Sequence, residues 1–114
     1  MITLYHNPRC SKSRQALALL EEKGQTIEIV RYLETPPDAD TLEALLTTLG
    51  VSARDLLRKG EAEYKELGLA DTELSDRQLV DAMVRHPKLI ERPIAIKGNR
   101  AVIGRPPEAV LTLL

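Results

Sequence analysis

Residues 2–32, ITLYHNPRCSKSRQALALLEEKGQTIEIVRY, change their periodicity twice, and the remaining fold is read outward from that change. Ile2 to Tyr5 is a short β-prone run, which His6-Asn7-Pro8 ends with turn chemistry. From Ser11 the period becomes helical: Ala16, Leu17, Leu19 and Leu20 share a face, and Gly24 stops the helix. Thr26 to Tyr32 returns to strand character. Strand, loop, helix and strand in that order predict a parallel pair joined by a right-handed crossover. The loop at the carboxyl end of the first strand holds Cys10, the sole cysteine.

Downstream, Thr35-Pro-Pro-Asp-Ala-Asp40 breaks the chain and caps a helix over Thr41 to Leu49. There Leu42, Leu45, Leu46 and Leu49 follow i, i+3, i+4, i+7 spacing, and Gly50 closes it. Ser52 opens a short helix with Leu56 and Leu57, residues 61–72 are a charged helix-or-loop connection, and Ser75 caps a helix reaching His86 before Pro87. Each of these helices is too short to bury a core of its own, so they form an insertion. Ile94-Ala-Ile96 and Ala101-Val-Ile103 flank Lys97-Gly-Asn-Arg100, an antiparallel hairpin pattern, and Pro106-Pro107-Glu108 opens a last helix ending at Leu114. The expected fold is α/β and thioredoxin-like: one domain over residues 1–114, with a helical insertion at about 38–86 between βαβ and ββα units.

The composition narrows the function. With 114 residues there is room for one core, and without Phe or Trp and with three Tyr it must be aliphatic. That composition cannot build the aromatic platform on which single-stranded nucleic acids stack. No apolar run approaches the ~18 residues of a membrane span, and the opening residues lack a signal-peptide pattern. A net charge of −1 gives no global reason to bind nucleic acid or an anionic membrane, and the expected setting is cytoplasmic. One Cys and two His make neither an internal disulfide nor a tetrahedral metal site. Positive charge instead gathers at the two ends: Arg9, Lys12 and Arg14, then Lys88, Arg92, Lys97, Arg100 and Arg105. If those ends meet, they form an anion-attracting face; the plainer reading is solvated surface charge.

Cys10 lies in Asn7-Pro-Arg-Cys-Ser-Lys-Ser-Arg14, at a helix N-terminus among cations. Free backbone N–H groups, the helix dipole and nearby positive charge all favour a thiolate, which is an effective nucleophile. A cysteine serving only as a small hydrophobe would stand in an apolar run, not in this polar loop. Ser13 occupies the place where a dithiol motif would carry its second cysteine, so an oxidised Cys10 needs an external thiol to reduce it. A phosphatase-type C-x5-R loop is disfavoured because Ala16 stands where its arginine would be.

These segments resemble the glutaredoxin-linked arsenate reductase family across nearly the whole chain. Tyr5-His-Asn-Pro-Arg-Cys-Ser-Lys-Ser-Arg14 is similar to its nucleophile loop. Tyr32-Leu-Glu-Thr-Pro-Pro37, Leu56-Leu-Arg-Lys59, Tyr64-Lys-Glu-Leu-Gly-Leu-Ala70, His86-Pro-Lys-Leu-Ile-Glu-Arg-Pro-Ile94 and Gly104-Arg-Pro-Pro-Glu108 follow in the family's order. The resemblance implies that Cys10 attacks arsenate, that Arg58, Arg92 and Arg105 surround the oxyanion, and that glutathione and glutaredoxin regenerate the thiol. No bound cofactor is implied; glutathione is a co-substrate and glutaredoxin the partner. Planar, permanently charged guanidinium forks suit a tetrahedral oxyanion. Each arginine also has a plainer reading: Arg58 as a helix-end cation, Arg92 and Arg105 as surface residues.

Supporting roles fall to His6, Asn7, Ser13, Arg14 and Pro93. His6 is read either as tuning the thiolate or as a strand-end histidine bonded to backbone; Ser13 is expected to donate to the sulfur, and Asn7 to hold the loop. Pro93 matches the position of the thioredoxin-fold cis-proline, which would set Arg92 beside Cys10. Two departures from better-known members stand out: the chain ends at Leu114 without their C-terminal extension, and Gly104 replaces a cysteine often found before the arginine. Two other readings compete. One is a non-enzymatic, redox-linked adaptor of RNA polymerase, a role that usually relies on the C-x-x-C that Ser13 removes. The other is a monothiol reductase acting on another oxyanion or a mixed disulfide, which needs Cys10 but not all three arginines.

Overall fold

Strand β1, Ile2–Tyr5, is the centre from which the first half of the structure is built. The structure is a computed structural model describing all residues from Met1 to Leu114. Helix α1, Ser11–Glu22, follows the loop, and β2, Ile27–Val30, pairs with β1 in parallel, Leu4 opposite Ile29. β3, Ile94–Lys97, lies antiparallel to β1 on the other side, with Leu4 opposite Ala95, and β4, Arg100–Ile103, pairs antiparallel with β3. The sheet order β2-β1-β3-β4, mixed in this way, is thioredoxin-like. One long-range consequence matters for function. The carboxyl end of β1 and the amino end of β3 are neighbours, because Tyr5 pairs with Ile94.

Alternation along the strands decides which face is packed. Ile2 and Leu4 of β1 and Ala95 of β3 point to one side, where Ala16 and Leu20 of α1 and Val110 and Leu113 of the C-terminal segment meet them in a fully buried cluster. Truncating Leu4 or Leu20 to alanine would cost about 2–5 kcal/mol. Of the apolar face expected on α1, Ala16 and Leu20 are buried outright, while Leu17 and Leu19 are partly covered.

The last segment, Pro107–Leu113, is helical as expected but winds as a 3-10 helix. Its buried residues explain the tighter turn, since Pro107, Val110 and Leu113 recur every third position. An α-helix would rotate Leu113 about 120° away from Pro107, whereas three residues per turn keep all three on the sheet. The hairpin between β3 and β4 turns on Gly98-Asn99, with φ +61° at Gly98. A positive φ at the first central position only is the type II′ pattern, which matches the twist of paired strands. β2 is shorter than the run read from sequence. After Val30 the chain bends into a turn in which the Glu34 N–H donates to the Arg31 carbonyl at 2.9 Å, while Tyr32 is fully buried. Residues 1–35 and 92–114 form this unit, and residues 36–91 form a second.

The second unit is helical. α2, Ala39–Leu49, starts where the Asp38 carboxylate accepts the Thr41 N–H at 2.7 Å and ends at Gly50, whose φ of +71° lets its N–H return to the Leu46 carbonyl. α3, Ala53–Leu56, and α5, Asp76–Arg85, each begin with a reciprocal capping box, Ser52 with Asp55 and Ser75 with Gln78. Between them the connection at 61–72 contains a single-turn helix α4, Ala62–Glu66. Leu42, Leu45 and Leu46 of α2 and Leu79, Val80 and Met83 of α5 are buried. A 3-10 turn, Pro87–Leu89, follows α5, and main-chain bonds from Arg58 to Leu89 and from Glu91 to Leu56 tie the end of α3 to the end of this unit. No helix is long and apolar enough to cross a membrane.

Candidate active site

The loop between β1 and α1 is held by its own polar groups. The His6 N–H continues the parallel ladder by donating to the Val30 carbonyl at 2.9 Å. Asn7 then closes the turn with both of its oxygens. Its side-chain Oδ1 accepts the Arg9 N–H at 3.0 Å, and its carbonyl accepts the Cys10 N–H at 3.0 Å. Arg14 Nη1 donates to the Pro8 carbonyl at 3.0 Å, so the first turn of α1 reaches back to the loop. A buried Asn in a turn commonly substitutes for backbone hydrogen bonding in this way.

Beneath the loop, Ser13 is fully buried and its Oγ accepts the Asn7 N–H at 3.1 Å. The hydroxyl also lies 2.6 Å from His6 Nδ1. With one lone pair taken by Asn7, the hydroxyl hydrogen can donate to Nδ1, which suits a neutral imidazole protonated at Nε2. Burial, reinforced by the positive charges of Arg31 and Arg14, lowers the His6 pKa below its ordinary 6.5. The ring's partner is thus a side-chain hydroxyl, not a backbone carbonyl. The Ser13 hydroxyl is engaged with His6 and Asn7, and it is the Ser13 backbone N–H that acts on the sulfur.

Cys10 is the N-cap residue of α1, with φ −89° and ψ 123°. The sulfur therefore stands where a capping oxygen would normally meet the first free N–H groups of the helix. It makes no regular cap hydrogen bond, yet the N–H groups of Ser13 and Lys12 favour its ionised form. Partial burial works the other way and is the largest single influence. Ser13, the Arg92 guanidinium (by hydrogen bonding and by charge) and Lys12 together outweigh it, and the thiol pKa falls below its ordinary 9.0.

Two guanidinium groups converge on that sulfur from the far end of the chain. Arg105 Nη2 donates toward Cys10 Sγ at 3.7 Å, while its Nε donates to the Arg92 carbonyl at 2.8 Å. Arg92 itself is within hydrogen-bonding reach of the sulfur. The peptide bonds Arg92–Pro93 and Arg105–Pro106 are both cis. A second tie runs beside the first, the Gly104 N–H donating to the Pro93 carbonyl at 2.7 Å.

Gly104 is a close-packing position behind the site, which the sequence reading took only as a departure from the family pattern. A Cβ built there would lie 2.7 Å from the Pro93 ring and 3.1 Å from Val110, so only glycine lets the two proline-containing segments approach this closely. The available signal was a glycine placed directly before Arg105-Pro106-Pro107.

Arg58 lies in the helical unit, its Nε 3.5 Å from Glu61 and its Nη1 3.5 Å from Glu91. A cavity of about 540 Å³ also belongs to that unit, but among its walls are the carboxylates of Glu43 and Asp76 and no cation. Its charge is wrong for an anion. No cluster of His, Cys, Asp and Glu side chains is arranged to hold a metal ion. The Cys10 site is thus a part-buried sulfur, held toward its thiolate form by N–H donors and guanidinium charge and suited to attack on a negatively charged oxyanion.

Comparison with known proteins finds relatives along nearly the whole chain. The model of the ArsC family matches residues 5–113. The protein YfgD of Escherichia coli K12 is 57% identical over 99% of this chain and 96% of its own. An arsenate reductase of Neisseria meningitidis serogroup B is 47% identical over 99% of this chain and 97% of its own. The solved structure of an arsenate reductase from Vibrio cholerae superposes with a TM-score of 0.97 at 50% identity, covering 99% of this chain and 97% of that one.

Proposed function

This chain belongs to the ArsC family, and on that premise we propose that it reduces arsenate to arsenite, with the Cys10 thiolate as nucleophile and glutathione and glutaredoxin as the source of electrons. The observation that carries the reading is the convergence of Arg92 and Arg105 on a sulfur whose pKa is lowered.

The electrostatic obstacle is an anion attacking an anion. Two like unit charges about 4 Å apart repel by roughly 4 kcal/mol at an effective dielectric of about 20. One guanidinium at similar range offsets that repulsion, and a second turns the balance to attraction. Arg105 is fixed before the oxyanion arrives, because its Nε is already bonded to the Arg92 carbonyl. Arg58 enters this proposal through the resemblance alone, as a third ligand of the oxyanion. Asn7, Ser13 and Arg14 act as positioning residues for the loop, and His6 as the neutral ring seated on Ser13.

In the proposed sequence the thiolate forms a sulfur–arsenic bond and one arsenate oxygen leaves as water after protonation. Glutathione then attacks the cysteine-bound arsenic, displacing a second oxygen as water. Glutaredoxin takes the glutathione sulfur as a mixed disulfide, and the electron pair of the broken arsenic–sulfur bond stays on arsenic, reducing As(V) to As(III). Hydrolysis of the Cys10–arsenic bond releases arsenite and returns the thiolate. A second glutathione reduces glutaredoxin, so two thiols become one disulfide for each arsenic reduced. Because Cys10 is the chain's one cysteine, both electrons come from outside it. That need for a reduced thiol pool supports a cytoplasmic setting.

The test is a coupled assay with glutathione, glutaredoxin, glutathione reductase and NADPH. NADPH oxidation should begin only when arsenate is added and should be absent in Cys10→Ser. Oxidation indifferent to arsenate would refute the assignment.

A further inference from the structure

A second cleft flanks the nucleophile loop on the β2 side. It measures about 220 Å³ and is walled by His6, Pro8, Arg9, Arg31, Leu33 and Glu34. Arg9, Arg31 and Glu34 take part in none of the protein's salt bridges, which involve Arg58 and Arg77. Leu33 adds an exposed apolar surface at 38% of its full area. Two unpaired guanidiniums, one unpaired carboxylate and an aliphatic wall therefore line one concavity.

The charge inventory selects a ligand class. Two cations and one anion are the complement of a molecule with two carboxylates and one ammonium on a short aliphatic frame. The cleft is also attached to the chemistry on both sides. Arg9 directly precedes Cys10, and adjacent Cα atoms are about 3.8 Å apart. On the other side His6 bonds Ser13, whose backbone N–H acts on the Cys10 sulfur. Arg31 is close enough for its charge to be felt at His6.

We propose that this cleft seats the reducing co-substrate, a small peptide thiol of the glutathione type, with its two carboxylates on Arg9 and Arg31, its ammonium on Glu34 and its aliphatic frame on Leu33 and Pro8. The assignment rests on the arsenate-reductase reading for its catalytic meaning, though not for the binding itself. It divides the labour of the cations. Arg92 and Arg105 serve the oxyanion, while Arg9 and Arg31 serve the thiol donor from the opposite flank of the loop.

The test varies glutathione at saturating arsenate for the wild type, Arg31→Gln and Arg9→Gln. Each variant should raise KM for glutathione about three- to tenfold, as expected for one partly exposed charge-assisted contact. The KM for arsenate, and kcat at saturating glutathione, should stay within about twofold, which also shows that the variants are folded. An unchanged KM for glutathione in both variants overturns the cleft while leaving the proposed activity standing. Binding is read separately by titrating the wild type with S-methylglutathione, which cannot react, and following amide NMR shifts. Shifts clustered at His6, Arg9 and residues 31–34, and lost in the double variant, support the site even if glutathione drives no turnover. Shifts confined to other surfaces overturn it.

Discussion

Arg105 reaches Cys10 across 95 positions of sequence, its Nη2 at 3.7 Å from the sulfur. The same guanidinium is bonded through Nε to the Arg92 carbonyl at 2.8 Å, so the main chain of the 92–93 segment sets where the Arg105 cation stands. A rigid fork that holds a carbonyl on one edge and presents its other edge to the sulfur has a requirement that a flexible ammonium cannot meet.

Arg105→Lys is therefore expected to behave nearly as badly as Arg105→Ala. Both should lower kcat/KM for arsenate by about 10²-fold, the scale seen when one preorganised oxyanion donor is removed. Steady-state kinetics check this. Lysine restoring wild-type kcat/KM would show that charge alone suffices.

Arg92→Ala should raise the pKa of Cys10, since the Arg92 side chain favours the thiolate by hydrogen bonding and by charge. The pH profile of iodoacetamide alkylation measures it directly. In the wild type the midpoint should fall below the ordinary 9.0, and in the variant it should move upward. An identical midpoint in both proteins would remove Arg92 from the sulfur's environment.

Gly104→Ala should damage the site from behind it. The added Cβ meets the Pro93 ring at 2.7 Å and Val110 at 3.1 Å, and overpacking of this kind costs about 1–3 kcal/mol. Relief by parting the 92–93 and 104–105 segments would carry Arg105 off its Arg92 anchor. Expected results are a lower denaturation midpoint and a raised alkylation pKa at Cys10. A variant that loses stability with the pKa unmoved would make Gly104 a packing residue only.

His6 sets a pH dependence of stability whose sign is fixed. Its pKa is lowered in the folded protein, so below the ordinary 6.5 the unfolded chain binds the proton more readily than the native one. Stability linked to this group is thus full above about pH 7 and declines as pH falls through 6.5 toward the folded pKa. Urea denaturation at pH 7.5 and 5.5 should show a smaller loss on acidification in His6→Gln than in the wild type. An equal or larger loss in the variant would contradict a neutral His6 on Ser13.

Local pattern made much of this molecule legible in advance. The β1–α1–β2 order, the leucine spacing of α2, the Ser52 and Ser75 caps and the Gly98-Asn99 hairpin all rest on contacts between residues near in sequence. Where distant segments decide the outcome, pattern was silent. The 3-10 winding of Pro107–Leu113 follows from the sheet it packs on, and the early end of β2 from the turn that buries Tyr32. The same holds at the site. A cation-rich loop around Cys10 can be read from ten adjacent residues, but the Arg105–Arg92 carbonyl bond and the fit of Gly104 on Pro93 exist only once β1 and β3 are paired.

The account is tested most directly by counting arsenite. Purified protein supplied with glutathione and glutaredoxin should form one arsenite for each glutathione disulfide produced, and Cys10→Ser should form none. Disulfide accumulating without arsenite, or arsenite formed equally well by Cys10→Ser, would contradict it.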